Sequence, residues 1–282
     1  MAASATLFGI MAVTVRLASQ QLHPFEIAFF RSFFGAVFAL PLLAVNGFAI
    51  LRTPKFSFYL LRCALGMVGM LAGFWAIVNM PLAQAIALSY SSPLFVTIGA
   101  VLVLGEVVRM RRWSAVIAGF IGVLIIVRPG HSFSEASMVA LLAALLSGAV
   151  TISIKFLSRT EKPDTIVLLT TFLWVPLTLP AALLVWQWPQ ANIWPWLALA
   201  GLLGTGGHYC WTRALKLADA SVLAPFSYLQ LLVVAVLAWI LFDEAVDHYT
   251  ALGAAIIIGA SVYIARREAM LARAARAAIG PE

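Results

Sequence analysis

Two hydroxyl-rich turns lie beside prolines inside long apolar runs: Ser89-Tyr90-Ser91-Ser92-Pro93 and Pro225-Phe226-Ser227-Tyr228-Leu229-Gln230. A proline within a helix removes one backbone hydrogen bond and frees a carbonyl about one turn earlier. At membrane depth a freed carbonyl is tolerated only against protein or a wet cavity. Tyr90, Ser92, Pro93, Pro225, Ser227, Tyr228 and Gln230 are therefore candidate walls of a polar cavity, with backbone mending or helix packing as the alternative for the hydroxyls. At an offset of 135 residues Tyr90 falls on Pro225 and Pro93 on Tyr228, so the two segments exchange Tyr and Pro. His208 is the sole histidine well inside an apolar run, and Tyr209 and Trp211 follow it. An ionisable group at that depth is a candidate for solute contact or proton relay, against a satisfied core imidazole. Trp75, Asn79 and Gln84 add amphipathic side chains to the set, with an interfacial belt or plain core as the alternative for the aromatics.

Small residues must bring these groups together. Gly66, Gly69 and Gly73 form one stripe, and Gly201, Gly204 and then His208 form a second, so the imidazole stands where the first stripe has a glycine. Such stripes let helices approach closely. Glu106 and Glu244 fall at helix ends, where the simplest role is to cap a neighbouring helix N-terminus. Arg31, with Glu26 five residues earlier, reads as a buried pair or a side chain snorkelling to the surface. Phosphate loops, zinc-binding helices and paired intramembrane carboxylates do not occur, so neither ATP-driven pumping nor metalloproteolysis is expected. No metal site or cofactor is expected. Cys63 and Cys210 sit in apolar runs as small buried hydrophobes.

The elements carrying these groups follow from composition. Of 282 residues 63% are hydrophobic and only 10% charged, against about 45–50% and 25% in ordinary globular chains. A soluble enzyme and a nucleic-acid binder are both excluded by that balance. Apolar runs near residues 2–18, 25–45, 57–79, 82–104, 112–128, 135–157, 164–186, 194–214, 220–242 and 249–265 predict an all-α membrane protein of ten transmembrane helices. The first run reads as a spanning helix and not a signal peptide, because no basic segment precedes it. Every Lys and Arg except Arg16, Arg128 and Arg31 falls on the side holding both termini, which places the termini in the cytoplasm and the chain in the inner membrane.

Self-comparison reveals a repeat. His23-Pro24 through Leu40-Pro41 aligns with Lys162-Pro163 through Leu179-Pro180 at an offset of 139, Gly66 and Gly69 with Gly201 and Gly204 at 135, and Glu106 with Glu244 at 138. Two five-helix repeats, residues 1–130 and 131–268, precede a basic tail, 269–282, expected to anchor on lipid or to fray into solvent. An odd helix number inverts the second repeat, which is a transporter signature.

With these features the chain resembles the drug/metabolite transporter superfamily, in particular its EamA family and the YddG-like exporters of aromatic amino acids. The resemblance rests on the duplicated unit, Arg31, the run from Pro81 through Pro93 to Leu104-Gly105-Glu106, the Gly119 to Gly122 helix ending in Val127-Arg128-Pro129-Gly130, and Asp243-Glu244. The second copy departs from the usual Gly-Glu by having Asp243. The resemblance implies alternating access, without ATP, by a monomer in the lipid bilayer that exports amino acids or related metabolites. A nucleoside-like or cationic compound is the alternative substrate, and a channel the less favoured mechanism. Tyr, Trp, Ser and a single His, without a fixed carboxylate, suit zwitterionic or weakly polar solutes with an apolar part. Without acidic relays, transport is expected to run downhill or with weak proton linkage.

Overall fold

A computed structural model describes residues 1–51, 53–104, 110–127, 134–157, 161–217 and 228–279, and among them no strand occurs. The helices are α1 (Ala2–Ala18), α2 (Pro24–Asn46), α3 (Phe56–Asn79), α4 (Leu82–Ser89), α5 (Ser92–Leu104), α6 (Met110–Val127), α7 (Glu135–Leu157), α8 (Pro163–Leu183), α9 (Trp194–Leu217), α10 (Leu229–Phe242) and α11 (His248–Ile279). Six stretches are long and apolar enough to cross a membrane: Pro24–Val45, Phe56–Asn79, Leu82–Gly99, Glu135–Ile154, Asp164–Leu183 and His248–Arg266. Ala2–Ala18, Trp113–Val127 and Leu229–Phe242 are apolar but shorter. Leu61, Ile117, Leu124, Leu232 and Trp239 are among the large apolar side chains left exposed. Water would penalise such a surface, whereas lipid accepts it.

Helix starts follow local chemistry. At α2 the His23 side chain accepts from Phe25 N, the Glu26 carboxylate accepts from His23 N at 3.4 Å, and Pro24 opens the first turn. α8 likewise has a proline, Pro163, in its first turn, but no side chain caps it at Lys162. The single run expected over 82–104 is instead two helices that part at Tyr90 and Ser91. Pro93 thus lies in the first turn of α5, where its missing N–H costs nothing, and does not interrupt a helix. The serines mend the break: Ser89 Oγ donates to Ile86 O and Ser91 Oγ to Leu88 O, both at 2.7 Å. At the other end of the chain, α11 continues through Ile279.

α1 packs on α9, α2 on α8 and α9, α3 on α7, and α6 on α11. α1 also meets α10, and α7 meets α4 and α5. Glycines permit the tightest crossings. A Cβ on Gly253 of α11 would lie 2.6 Å from Gly122 O of α6, and one on Gly69 of α3 would lie 3.1 Å from Leu146 Cβ of α7. α9 is held between α1 and α2, which lets it carry Thr205, Gly206, Gly207 and His208 in mid-helix.

Candidate functional site

Arg31 projects from α2 into the bundle and is 7% exposed. Neither sequence expectation for it holds. It does not snorkel, and Glu26 is engaged elsewhere, accepting from His23 N and, at 2.7 Å, from Gln187 N. The guanidinium meets soft partners instead. Nη1 donates to Met70 Sδ at 2.9 Å and Nε to Met11 Sδ at 3.4 Å, while Cζ lies 5.9 Å from the Phe74 ring and 5.4 Å from the Trp174 ring. Among the described residues the one ion pair lies elsewhere, between Arg16 and Glu244. A desolvated cation without a carboxylate costs several kcal/mol, and sulfur and aromatic contacts offset roughly 0.5–2 kcal/mol each.

Arg31 lines a small cavity of about 10 Å³, room for about one water, together with Ser32, Gly35, Thr171, Trp174, Gly204, Thr205 and His208. α2, α8 and α9 supply these walls. Gly204 is the floor under the guanidinium, since a Cβ there would sit 2.8 Å from Nε and Nη2. His208 packs edge-on against Phe8, Trp174 and Trp211 at centroid distances of 5.5, 5.7 and 6.2 Å. The surroundings are an aromatic wall with hydroxyls and one fixed positive charge. Such a wall stacks a flat ring and donates hydrogen bonds to its oxygens.

The sequence-derived candidates separate into groups. His208 and Trp211 are at or beside this cavity, whereas Tyr209 faces Arg213, whose Cζ is 4.9 Å from its ring. Tyr90 and Tyr228 come together elsewhere, edge to face at 4.9 Å beside Ser261, and neither lines the His208 cavity. Tyr90 caps the end of α4 and Tyr228 the start of α10, both with αR backbone. Asn79 is exposed and donates to Trp75 O, Trp75 packs on the main core, Gln84 donates to Ile126 O, and Gln230 is half-buried. Gly66 packs on Trp174 and Gly73 on Ala143, so the first stripe is a packing seam. Ser92 is half-buried at the start of α5. Glu106, Pro225 and Ser227 lie outside the described residues. Sequence reasoning missed Trp174 and Thr171, two members of an apolar helix that attract no attention by type.

A second polar cluster closes one end of the bundle. Arg16 Nη2 meets Glu244 Oε1 at 2.8 Å, and Arg16 Nη1 donates to Ile77 O and Val78 O at 2.6 and 2.5 Å. Glu244 Oε2 accepts from Leu82 N at 2.8 Å, so this carboxylate caps α4. Asp243 aims it there. Its φ of 55° and ψ of 27° are left-handed, and its own N–H and that of Glu244 both reach back to Ala238 O, ending α10. Asp tolerates this conformation, which glycine adopts freely, so the departure from Gly-Glu keeps the geometry. Glu244→Ala is expected to lower the melting temperature of the purified protein, with a loss of about 1–3 kcal/mol from the orphaned Arg16 and Leu82 N–H. Glu244→Gln, which retains an acceptor for Leu82 N, should lose less. Equal melting of both variants and the parent would contradict the latch.

The sequence profile of the EamA-like transporter family matches twice, over residues 1–128 and 135–266. A riboflavin transporter of Brucella anthropi is 36% identical over 258 residues, covering 88% of this chain and 90% of its own. An S-adenosylmethionine uptake transporter of Rickettsia prowazekii is 31% identical, covering 86% and 83%. A solved crystal structure aligns with a TM-score of 0.64 at 20% identity, covering 94% of this chain and 98% of its own, and so shares the fold.

Proposed function

The chain belongs to the EamA-like transporter family, and from that premise we propose that this multi-pass membrane transporter carries a flat, uncharged, carbonyl-bearing heteroaromatic solute of the riboflavin kind. The observation that carries the reading is Arg31: a buried guanidinium, unpaired with any carboxylate among the described residues, set between Phe74 and Trp174 on the wall of a hydroxyl-lined cavity. Ring carbonyls accept from Arg31, the ring stacks on Trp174, and a polyol chain finds Ser32, Thr171 and Thr205. Amino acids, the substrates expected from the sequence, would set their carboxylate on Arg31 but leave an ammonium that no carboxylate on this wall neutralises. S-adenosylmethionine, moved by the Rickettsia relative, would bring a cationic sulfonium as well. Permanent cations fare worst.

Alternating access between two inverted five-helix repeats is the proposed mechanism, with both termini in the cytoplasm. Two observations support it: the family profile matches each half, and the packing partners exchange between halves, as α1 with α9 against α7 with α3. The cavity, about 10 Å³, has room for about one water and none for a drug-sized ligand. Passage therefore requires α2, α8 and α9 to separate. A bacterium unable to synthesise riboflavin should grow at low external riboflavin when it expresses this chain. Growth no better than that of the empty-vector strain, with the protein present in the membrane, would overturn the riboflavin reading.

A further inference from the structure

One helical turn from Trp174 along α8 stands Thr170, and a second buried arginine faces it. Arg62 of α3, counted in the sequence among the loop charges, is 4% exposed, and its Nη1 donates to Thr170 Oγ1. Among the described residues its Nε has no partner, nor has the hydroxyl of Tyr59, which is 0% exposed and three residues earlier on the same helix face. The nearby carboxylate of Glu161 is taken by Thr53 Oγ1 at 2.9 Å. Trp174 stands between the two arginines: its Nε1 donates to Cys63 O at 3.3 Å, while Arg31 lies against its ring.

We propose that Arg62, Tyr59 and Thr170 form a second binding station for the transported solute, reached from the Arg31 cavity when the Trp174 indole swings aside. The ligand chemistry is an oxygen acceptor, a ring carbonyl or an anionic oxygen, and the inference rests on the solute carrying one. Each unpartnered buried polar group carries an uncompensated desolvation cost, which a purely structural arginine would avoid by satisfying its donors. These donors lie in line with the cavity, about 6 Å further along α8 by helix geometry. A solute leaving Arg31 meets a second guanidinium before the loop end of the bundle. Divided binding of this kind lets each grip be released in turn.

Cys63 is a built-in reporter, since its thiol sits beside Arg62 and Thr170 and is 1% exposed. The experiment uses Cys210→Ala, which leaves Cys63 as the only cysteine, in proteoliposomes treated with anionic sulfonatoethyl or cationic trimethylammonioethyl methanethiosulfonate. Each rate is normalised to that of a free thiol. Cys63 should react, with the anionic reagent favoured at least tenfold, and Arg62→Gln should remove the preference while Arg62→Lys retains it. Inertness to both reagents in folded protein would overturn the station, as would equal rates or a preference that Arg62→Gln leaves untouched. Riboflavin should slow the modification. If it does not while the charge preference stands, the riboflavin reading fails and the station survives as a site for anionic oxygens.

Discussion

Arg31→Gln is expected to lower riboflavin flux and affinity by about 10- to 100-fold, because a charged hydrogen bond to a bound solute is worth roughly 1.5–3 kcal/mol. Stability should move the other way. The guanidinium is buried against sulfur and aromatic rings and not against a carboxylate, so neutralising it relieves a desolvation cost. Arg31→Lys keeps the charge but loses the planar fork that two ring oxygens can share, and should fall between the parent and the glutamine variant. Flux and melting temperature measured on the same preparations separate the two effects. A glutamine variant that melts early and transports at the parent rate would reassign Arg31 to the scaffold.

Gly201→Ala is expected to be among the most damaging single methyl groups at the described glycines. Its Cβ would fall 2.5 Å from Phe34 Cβ and 2.9 Å from Gly35 N, both anchored to the backbone of α2. A flexible side chain could swing away, whereas a helix must move bodily. Overpacking of this sort costs about 1–3 kcal/mol or more, and the displaced helix is the one that carries Arg31. Gly206→Ala, whose Cβ would meet Leu7 Cδ1 at an ordinary 3.6 Å, is the matched control on the same helix. Thermal unfolding in detergent should show a clear drop for the first and none for the second. Similar melting of both would mean that α2 and α9 do not cross as closely as described.

Much of the scaffold was legible in the sequence because its signals are local. His23, Pro24 and Glu26 announce the start of α2, Gly66 and Gly69 announce the seam on which α3 packs, and continuous apolar runs reveal a chain dissolved in lipid. The break at Tyr90 was half legible: Pro93 betrayed it, but whether a proline interrupts a helix or opens one depends on where hydrogen bonding resumes. The cavity was harder to read. Sequence spacing offers Arg31 either Glu26 or the surface, yet that carboxylate turns to Gln187 N, and no short-range rule foretells a partner that distant. Trp174 passes for any interfacial tryptophan. One available signal lay unused: the alignment of the halves at 139 sets Arg31 against Thr170, a polar residue in an apolar helix of each copy, and both face the solute path now proposed.

The central claim, that this family member carries a riboflavin-like solute past Arg31, is tested most directly by counterflow. Purified protein in liposomes preloaded with unlabelled riboflavin should draw labelled riboflavin inward transiently and saturably. Excess S-adenosylmethionine or tryptophan outside should not block the uptake, Arg31→Gln should abolish most of it, and an imposed pH difference without preloading should give no accumulation. Counterflow of labelled tryptophan in place of riboflavin, or riboflavin exchange undiminished in Arg31→Gln, would contradict it.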